Sequence, residues 1–429
     1  MLGSEPIKHT EMIEMTTRAN SRYFAGVFLV LAGSLSLIGC DDAYSTLVQY
    51  TLRTDPLAMS DKFGDDQVDP DRPGVFPIMS MSDLSNPVNP MFPFRDKIIA
   101  NNILRDPTLI DADNKKEMKE TLDAWFGTPR SPRVKDALVS LGLENEKLAE
   151  GSALYRIHCL HCHGVNGDGR GVTAKWVNPH PRDFRQGLFK FQSVDQVAGG
   201  QSGLPPRRED LKRTLVHGVE GTAMPAFNLL DGKKIDALVS YVIHLSIRGQ
   251  TEFDTIKTGF DSALALDVED TLPEYMKKIF DITVKKWEKS QTRAIKVRPY
   301  PFPEGVDNPE YKESVQRGYH YFMGNEEKAP GAKGLNCVSC HVNFGRQSMY
   351  KWDSWGTLAK PNNLTNGIYR GGRRPTDVYY RIHSGINGSN MPAFGVNEKT
   401  NPNAVWDLVN FIQVLPYPAM REKLGINID

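Results

Sequence analysis

The sequence predicts a mainly α-helical protein in which two similar units follow an irregular N-terminal extension. Apolar residues recur at i, i+3, i+4 and i+7 from Ile235 and again from Val405, which is typical of amphipathic helices. The phrase G-x-x-G-x-x-M-P-A-F occurs twice, from Gly218 and from Gly385. Self-similarity of this kind indicates duplication of one structural unit.

Shifts in composition divide the chain into five predicted segments. We expect an export signal at 1–39, the extension at 40–145, the first domain at 146–250, a linker with one helix at 251–308 and the second domain at 309–429. The extension is rich in Pro, Asp and Met, and a helix is predicted in it only over 115–126. In the linker, apolar side chains from Leu272 to Trp287 share one helical face, which is typical of packing and not of a cofactor site.

The N-terminus has the pattern of an export signal. Arg18 and Arg22 precede an uncharged, mostly apolar run over 23–39, which ends at Cys40. This segment resembles a bacterial lipoprotein signal, and the resemblance implies cleavage before Cys40 and lipidation of its thiol. An uncleaved transmembrane anchor is the alternative, because the run reaches the lower edge of spanning length. Both readings predict that the protein lies on the periplasmic face of a bacterial membrane.

Charge balance narrows the function classes. The chain has 52 Lys+Arg and 52 Asp+Glu, for a formal net charge of zero. No basic excess exists to neutralise phosphates, so we expect no nucleic-acid partner.

Four of the five cysteines stand in two C-x-x-C-H motifs, the signature of c-type haem attachment. Two thiols at this spacing can bond the two vinyl groups of one porphyrin, and the next imidazole becomes the proximal iron ligand. The motifs predict haem 1 on Cys159 and Cys162 with His163, and haem 2 on Cys337 and Cys340 with His341. A redox-active cysteine pair and half of a zinc site are the alternatives.

Each predicted haem also has a candidate sixth ligand. Met224 and Met391 occupy matching positions in the repeated phrase, and methionine is the usual partner of histidine in electron-transfer cytochromes c. Glycines let this loop fold tightly, and a proline directly after each methionine stiffens it. The predicted iron ligands are therefore His163/Met224 and His341/Met391. His217 could replace Met224 only if the loop were rebuilt.

Both domains resemble class I cytochrome c domains, on the C-x-x-C-H and M-P-A-F motifs. The resemblance implies a small α-helical fold whose first and last helices cross beside the haem. It also implies a proline carbonyl that accepts the N–H of the proximal imidazole, with Pro179 or Pro181 and Pro361 as candidates. Three further residues could meet haem propionates or be solvated surface side chains: Arg182, Arg373 and Arg374.

These features predict an electron carrier and not an enzyme. Two six-coordinate haems c leave no open iron position, so we expect single-electron transfer in a respiratory chain, between a quinol-oxidising complex or dehydrogenase and a terminal acceptor. A diheme peroxidase is the alternative, and it would need one iron to open its sixth position. A cytochrome subunit of a periplasmic dehydrogenase is the third reading, with the same fold and ligands.

Overall fold

The computed structural model describes residues 48–58, 104–136, 138–196, 203–261, 263–303, 305, 307–332, 335–355, 358–389, 391–395, 398 and 401–428. The predicted export signal, Cys40 and much of the extension lie outside these ranges. Within them the protein is mainly α-helical, as the sequence predicts. No helix in this part of the chain is long and apolar enough to cross a membrane.

The helices and strands follow in chain order. The α-helices are α1 (Ala112–Phe126), α2 (Asn145–His158), α3 (Leu160–His163), α4 (Arg208–His217), α5 (Gly232–Gly259), α6 (Leu272–Thr292), α7 (Pro309–Met323), α8 (Pro375–Ser384), α9 (Ala404–Val414) and α10 (Pro418–Leu424). The 3₁₀ turns are Pro107–Leu109, Val139–Leu141, Ala174–Trp176, Cys337–Ser339, Val342–Gly345 and Leu364–Asn366. Strands β1 (Leu57–Ala58) and β2 (Leu104–Arg105) pair antiparallel, as do β3 (Lys351–Trp352) and β4 (Leu358–Ala359).

Helices α2 and α5 cross at a glycine. A Cβ atom on Gly151 would lie 2.1 Å from the carbonyl oxygen of Ala237, so only glycine lets the two backbones approach this closely. Asp231 caps α5 by accepting hydrogen bonds from the amides of Lys233 and Lys234, both at 3.0 Å. The amphipathic helix predicted from Ile235 is confirmed.

Helices α7 and α9 repeat this crossing in the second domain. A Cβ atom on Gly318 would lie 2.0 Å from the carbonyl oxygen of Asp407. Beside it the Asp407 carboxylate accepts hydrogen bonds from Ser314 and Arg317. The helix before each C-x-x-C-H motif therefore crosses the helix after each M-P-A-F motif in the same way, and the two domains have separate apolar cores.

Parts of the extension and the linker pack on the first core. Helix α1 confirms the helix predicted over 115–126 and buries Met118 and Leu122. Helix α6 buries four residues of its apolar stripe in the same core: Leu272, Met276, Phe280 and Trp287. This stripe is packing, as its pattern predicts.

Helix α5 continues past residue 250, where the sequence predicts the first domain to end. Arg105 of the extension donates hydrogen bonds from Nη1 to the carbonyls of Ile256 (2.9 Å), Lys257 (3.0 Å) and Phe260. These carbonyls lie in the last turn of the helix and just after it, where no intrahelical partner is available. A cation from a distant part of the chain therefore stabilises the C-terminal end of α5.

Candidate haem-binding sites

The two C-x-x-C-H motifs fold alike. In the first, the amide of His163 donates to the carbonyl of Cys159 at 2.8 Å, and in the second the amide of His341 donates to the carbonyl of Cys337 at 2.9 Å. One helical turn thus spans each motif and brings the histidine back over the first cysteine. All four cysteines are free thiols in this structure, so none forms a disulfide with another.

Both histidine rings are oriented by a backbone carbonyl. The Nδ1 atom of His163 lies 3.1 Å from the carbonyl oxygen of Arg182, and Nδ1 of His341 lies 3.1 Å from that of Asn362. Because a carbonyl only accepts, Nδ1 carries the proton and Nε2 keeps its lone pair for a metal. Burial lowers the pKa of His163 to about 4 and also lowers that of His341, which favours the neutral, ligating form.

The prediction that a proline carbonyl accepts this proton is wrong by one residue in each domain. The acceptors, Arg182 and Asn362, directly follow Pro181 and Pro361. In the second domain the Pro361 ring itself lines the cavity described below. The proline therefore packs at the site and directs the chain, and the next carbonyl faces the imidazole.

The first cysteine of each motif is a buried thiol. Burial raises the pKa of Cys159 and of Cys337 to about 12. A thiol that resists ionisation is a poor redox or zinc-binding thiolate, and reactive cysteines have lowered pKa values. The burial of these thiols argues against the hypothesis of a redox-active cysteine pair.

The repeated G-x-x-G-x-x-M-P-A-F phrases form two matching loops, which we name the first strap (218–227) and the second strap (385–394). In the first, the carbonyl of Met224 accepts from the amide of Val219 at 3.1 Å. In the second, the carbonyl of Met391 accepts from the amide of Ile386, also at 3.1 Å. The two methionines are thus fixed by the same backbone hydrogen bond.

A hydroxyl two residues before each methionine reinforces the strap. Thr222 Oγ1 accepts from the amide of Met224 at 3.1 Å and donates to the carbonyl of Val219 at 2.7 Å. Ser389 Oγ makes the corresponding bonds in the second strap, at 3.3 and 2.8 Å. The sequence contains this matched Thr/Ser pair at a position that the motif G-x-x-G-x-x-M-P-A-F leaves variable.

The glycine that opens each strap has a positive φ. Gly218 has φ +67° and Gly385 has φ +69°, in the region that favours glycine. A Cβ atom there would lie 2.7 Å and 2.6 Å from the carbonyl oxygens of Met224 and Met391 respectively. The strap therefore requires glycine for its conformation and for the close approach of its two ends.

In the second domain the predicted haem residues surround one cavity of about 350 Å³. Cys337, Cys340, His341 and Met391 all line it. Its remaining wall is largely apolar and includes Phe322, Leu408 and Ile412 of the crossing helices α7 and α9. The structure thus brings the four predicted side chains together around a space that a flat, apolar ring system suits.

In the first domain, the predicted haem residues pack on the apolar core of that domain. Cys159 is buried in that core and Met224 packs against it. The His163 ring stacks on Phe184 with a centroid separation of 4.7 Å. His217 is exposed at the end of α4, whereas Met224 is partly buried in the strap.

The cationic residues at the second cavity are not the predicted ones. Arg373 donates from Nη2 to the hydroxyl of Tyr417 at 2.6 Å, and Arg374 pairs with Asp377 at 2.9 Å. The Arg182 guanidinium lies over the Trp355 ring, 3.5 Å from its centroid. The cationic side chains that line the cavity are Lys190, Lys360, Arg370 and Arg381.

Arg381 is one of the two partly buried cations of this wall. Its Nη2 donates to the carbonyl of Gly372 at 2.6 Å, but its buried Nη1 has no hydrogen-bond partner among the described residues. Burial lowers the pKa of this guanidinium to about 10. A buried, unsatisfied donor on a residue that lines a cavity indicates a site for an anionic group, and a haem propionate supplies one. The residues present therefore fit haem c.

The first domain matches a known family model. Residues 146–242 match the model of cytochrome c oxidase, cbb3-type, subunit III. This range contains the first C-x-x-C-H motif and the first strap. The match supports a c-type cytochrome. A cytochrome c domain carries covalently bound haem c, which supplies one-electron redox chemistry, and residues 159, 162 and 163 are placed to hold it.

Comparisons with curated proteins and with solved structures give no further information on function. No curated protein is similar enough to this chain to count as a match. One solved chain, from the reducing HAO-like protein complex of Kuenenia stuttgartiensis, is 23% identical, with a TM-score of 0.42. The alignment covers 62% of this chain and 95% of that chain. A likeness at this level carries no argument about function.

Proposed function

We propose that this protein is a diheme cytochrome c that transfers single electrons and catalyses no bond chemistry. Haem 1 is bound by Cys159 and Cys162 and haem 2 by Cys337 and Cys340. The observation that carries the proposal is the strap, because the same hydrogen bonds fix a methionine in both domains.

The ligand sets follow from the two halves of each site. His163 and His341 present a neutral imidazole whose Nδ1–H is already bonded to a carbonyl, so Nε2 is the ligating atom. Met224 and Met391 are the sixth ligands. Histidine/methionine ligation raises the reduction potential and leaves no open iron position, as an electron carrier requires.

We further propose that the carrier works at the periplasmic face of a bacterial membrane. The support is the apolar run over 23–39 that ends at Cys40. If the run is cleaved, Cys40 is the attachment point for lipid. If it is not cleaved, the run itself is an N-terminal anchor. Its partners are redox proteins of a respiratory chain: a quinol-oxidising complex or dehydrogenase as donor, and a terminal acceptor.

Optical and low-temperature EPR spectra of the oxidised and half-reduced holoprotein, with and without hydrogen peroxide, test this proposal. We expect two low-spin haems with the far-red methionine–iron band, unchanged by peroxide. A high-spin signal that appears on half-reduction, with consumption of peroxide, would instead establish an enzyme and overturn one of the two methionine assignments.

A further inference from the structure

A loop of the first domain forms part of the wall of the second cavity. Lys190 and Phe191 both line it, although all four predicted haem 2 residues belong to the second domain. A Cβ atom on Gly371 of the second domain would lie 2.4 Å from the Phe191 ring, so the loop is in close contact there. The second haem site is therefore built from two domains.

Lys190 is held at this wall by one carboxylate. Its Nζ lies 3.0 Å from Oδ2 of Asp353, and the two side chains are 20% and 1% exposed. An ammonium group has three donors, so this pair leaves capacity for a further acceptor. Among the described residues, the cavity wall carries four cationic side chains and one carboxylate, that of Asp353. Such an excess of positive charge suits a ligand with two carboxylates.

The same loop also supports the first haem site. The carbonyl of Arg182 accepts from the His163 ring, while the Arg182 guanidinium stacks on Trp355 of the second domain. The Trp355 indole N–H donates to the carbonyl of Asp183 at 3.1 Å. The residues from 182 to 191 thus contact both sites, and the contact between domains fixes Lys190 in place.

On this basis we propose that Lys190 binds a propionate of haem 2, so that the first domain completes the second haem site and raises its reduction potential. The inference rests on the proposed function, since it requires a haem in each domain. A positive charge beside the haem stabilises the reduced form, which carries one more electron, and a negative charge does the opposite. Lys190 and Asp353 therefore act on the potential of haem 2 with opposite signs.

The test is a potentiometric titration of the holoprotein and its variants, followed optically and by EPR. The double variant Cys337→Ala/Cys340→Ala, which lacks haem 2, identifies the potential of haem 1. Lys190→Gln should lower the equilibrium constant for reduction of haem 2 about tenfold, which is about 59 mV for one electron, and leave haem 1 unchanged. Lys190→Arg keeps the charge and should restore the potential. Lys116→Gln, an exposed lysine on α1, is the matched control and should change neither.

Asp353→Asn separates charge from packing. If Lys190 and Asp353 only packed the wall, Lys190→Gln and Asp353→Asn would both admit water to the cavity and shift the potential of haem 2 in the same direction. The proposal instead predicts that Asp353→Asn raises the potential of haem 2. An unchanged potential in Lys190→Gln, or shifts of equal sign in both variants, would overturn the inference. A wild-type protein with one haem per chain would instead overturn the proposed function, so the two failures are distinguishable.

Discussion

Gly151→Ala tests whether the close crossing of α2 and α5 holds the first haem domain together. The added Cβ would lie 2.1 Å from the carbonyl oxygen of Ala237, 2.8 Å from its carbonyl carbon and 2.9 Å from Cβ of Tyr241. The first two contacts are with backbone that cannot rotate away, so the helices must separate. The helix leads directly to Cys159, and its displacement would move the haem attachment motif.

The expected change in the free energy of unfolding of Gly151→Ala is the difference between two opposing effects. Overpacking a well-packed contact costs about 1–3 kcal/mol. Replacing glycine by alanine inside a helix recovers about 1 kcal/mol of helix propensity. A 2.1 Å approach to backbone belongs at the high end of the first range. We therefore expect a net loss of about 1–2 kcal/mol in the free energy of unfolding.

Urea unfolding of the holoprotein, followed by far-UV circular dichroism and by the Soret band, measures this loss. Gly232→Ala is the matched control, because Gly232 opens α5 and, apart from the adjacent backbone of its own helix, no described atom lies within 4 Å of its added Cβ. The control should be at least as stable as the wild type. Gly318→Ala, at the equivalent crossing of α7 and α9, should behave like Gly151→Ala. A Gly151→Ala protein as stable as the control would refute the reasoning.

Two further predictions concern ligation and acid stability. Met224→Ala and Met391→Ala should each open one iron to carbon monoxide. Each should also lower the reduction potential of that haem by at least about 59 mV, which is a tenfold change in its reduction equilibrium. Carbon monoxide spectra that stay unchanged would refute the ligand assignment. Asp55 is buried, which alone would raise its pKa, but Arg53 and Arg185 outweigh burial and lower the pKa to about 2. Its stabilising effect is therefore present above its unfolded pKa near 4 and lost as the pH falls towards 2. Asp55→Asn should cost about 2 kcal/mol at pH 7, with the difference from wild type shrinking between pH 4 and 2 in urea titrations; a constant difference would contradict this.

Much of each site could be predicted because its signals are local in sequence. The C-x-x-C-H motifs and the strap glycines specify short turns whose hydrogen bonds lie within about ten residues, so the pattern alone places His163, Met224 and their counterparts. The imidazole acceptor was missed by one residue, since sequence shows where proline directs the chain but not which carbonyl then faces the ring.

The residues that sequence reasoning missed depend on tertiary contacts. In α8, Val378, Arg381 and Ile382 stand at positions i, i+3 and i+4, and all three line the cavity. Helical periodicity could therefore have identified Arg381. Lys190 and Phe191 carry no such signal, because they reach the second cavity from a loop of the other domain. The C-terminal end of α5 is likewise bonded by Arg105, which is far away in sequence.

The central claim is that each domain carries its own haem c, and intact-mass spectrometry with the reduced pyridine haemochrome spectrum tests it most directly. We predict two covalent haems per chain in the wild type, one in Cys159→Ala/Cys162→Ala and one in Cys337→Ala/Cys340→Ala. A wild-type chain with a single haem, or one whose haem count does not fall in either double variant, would contradict the account.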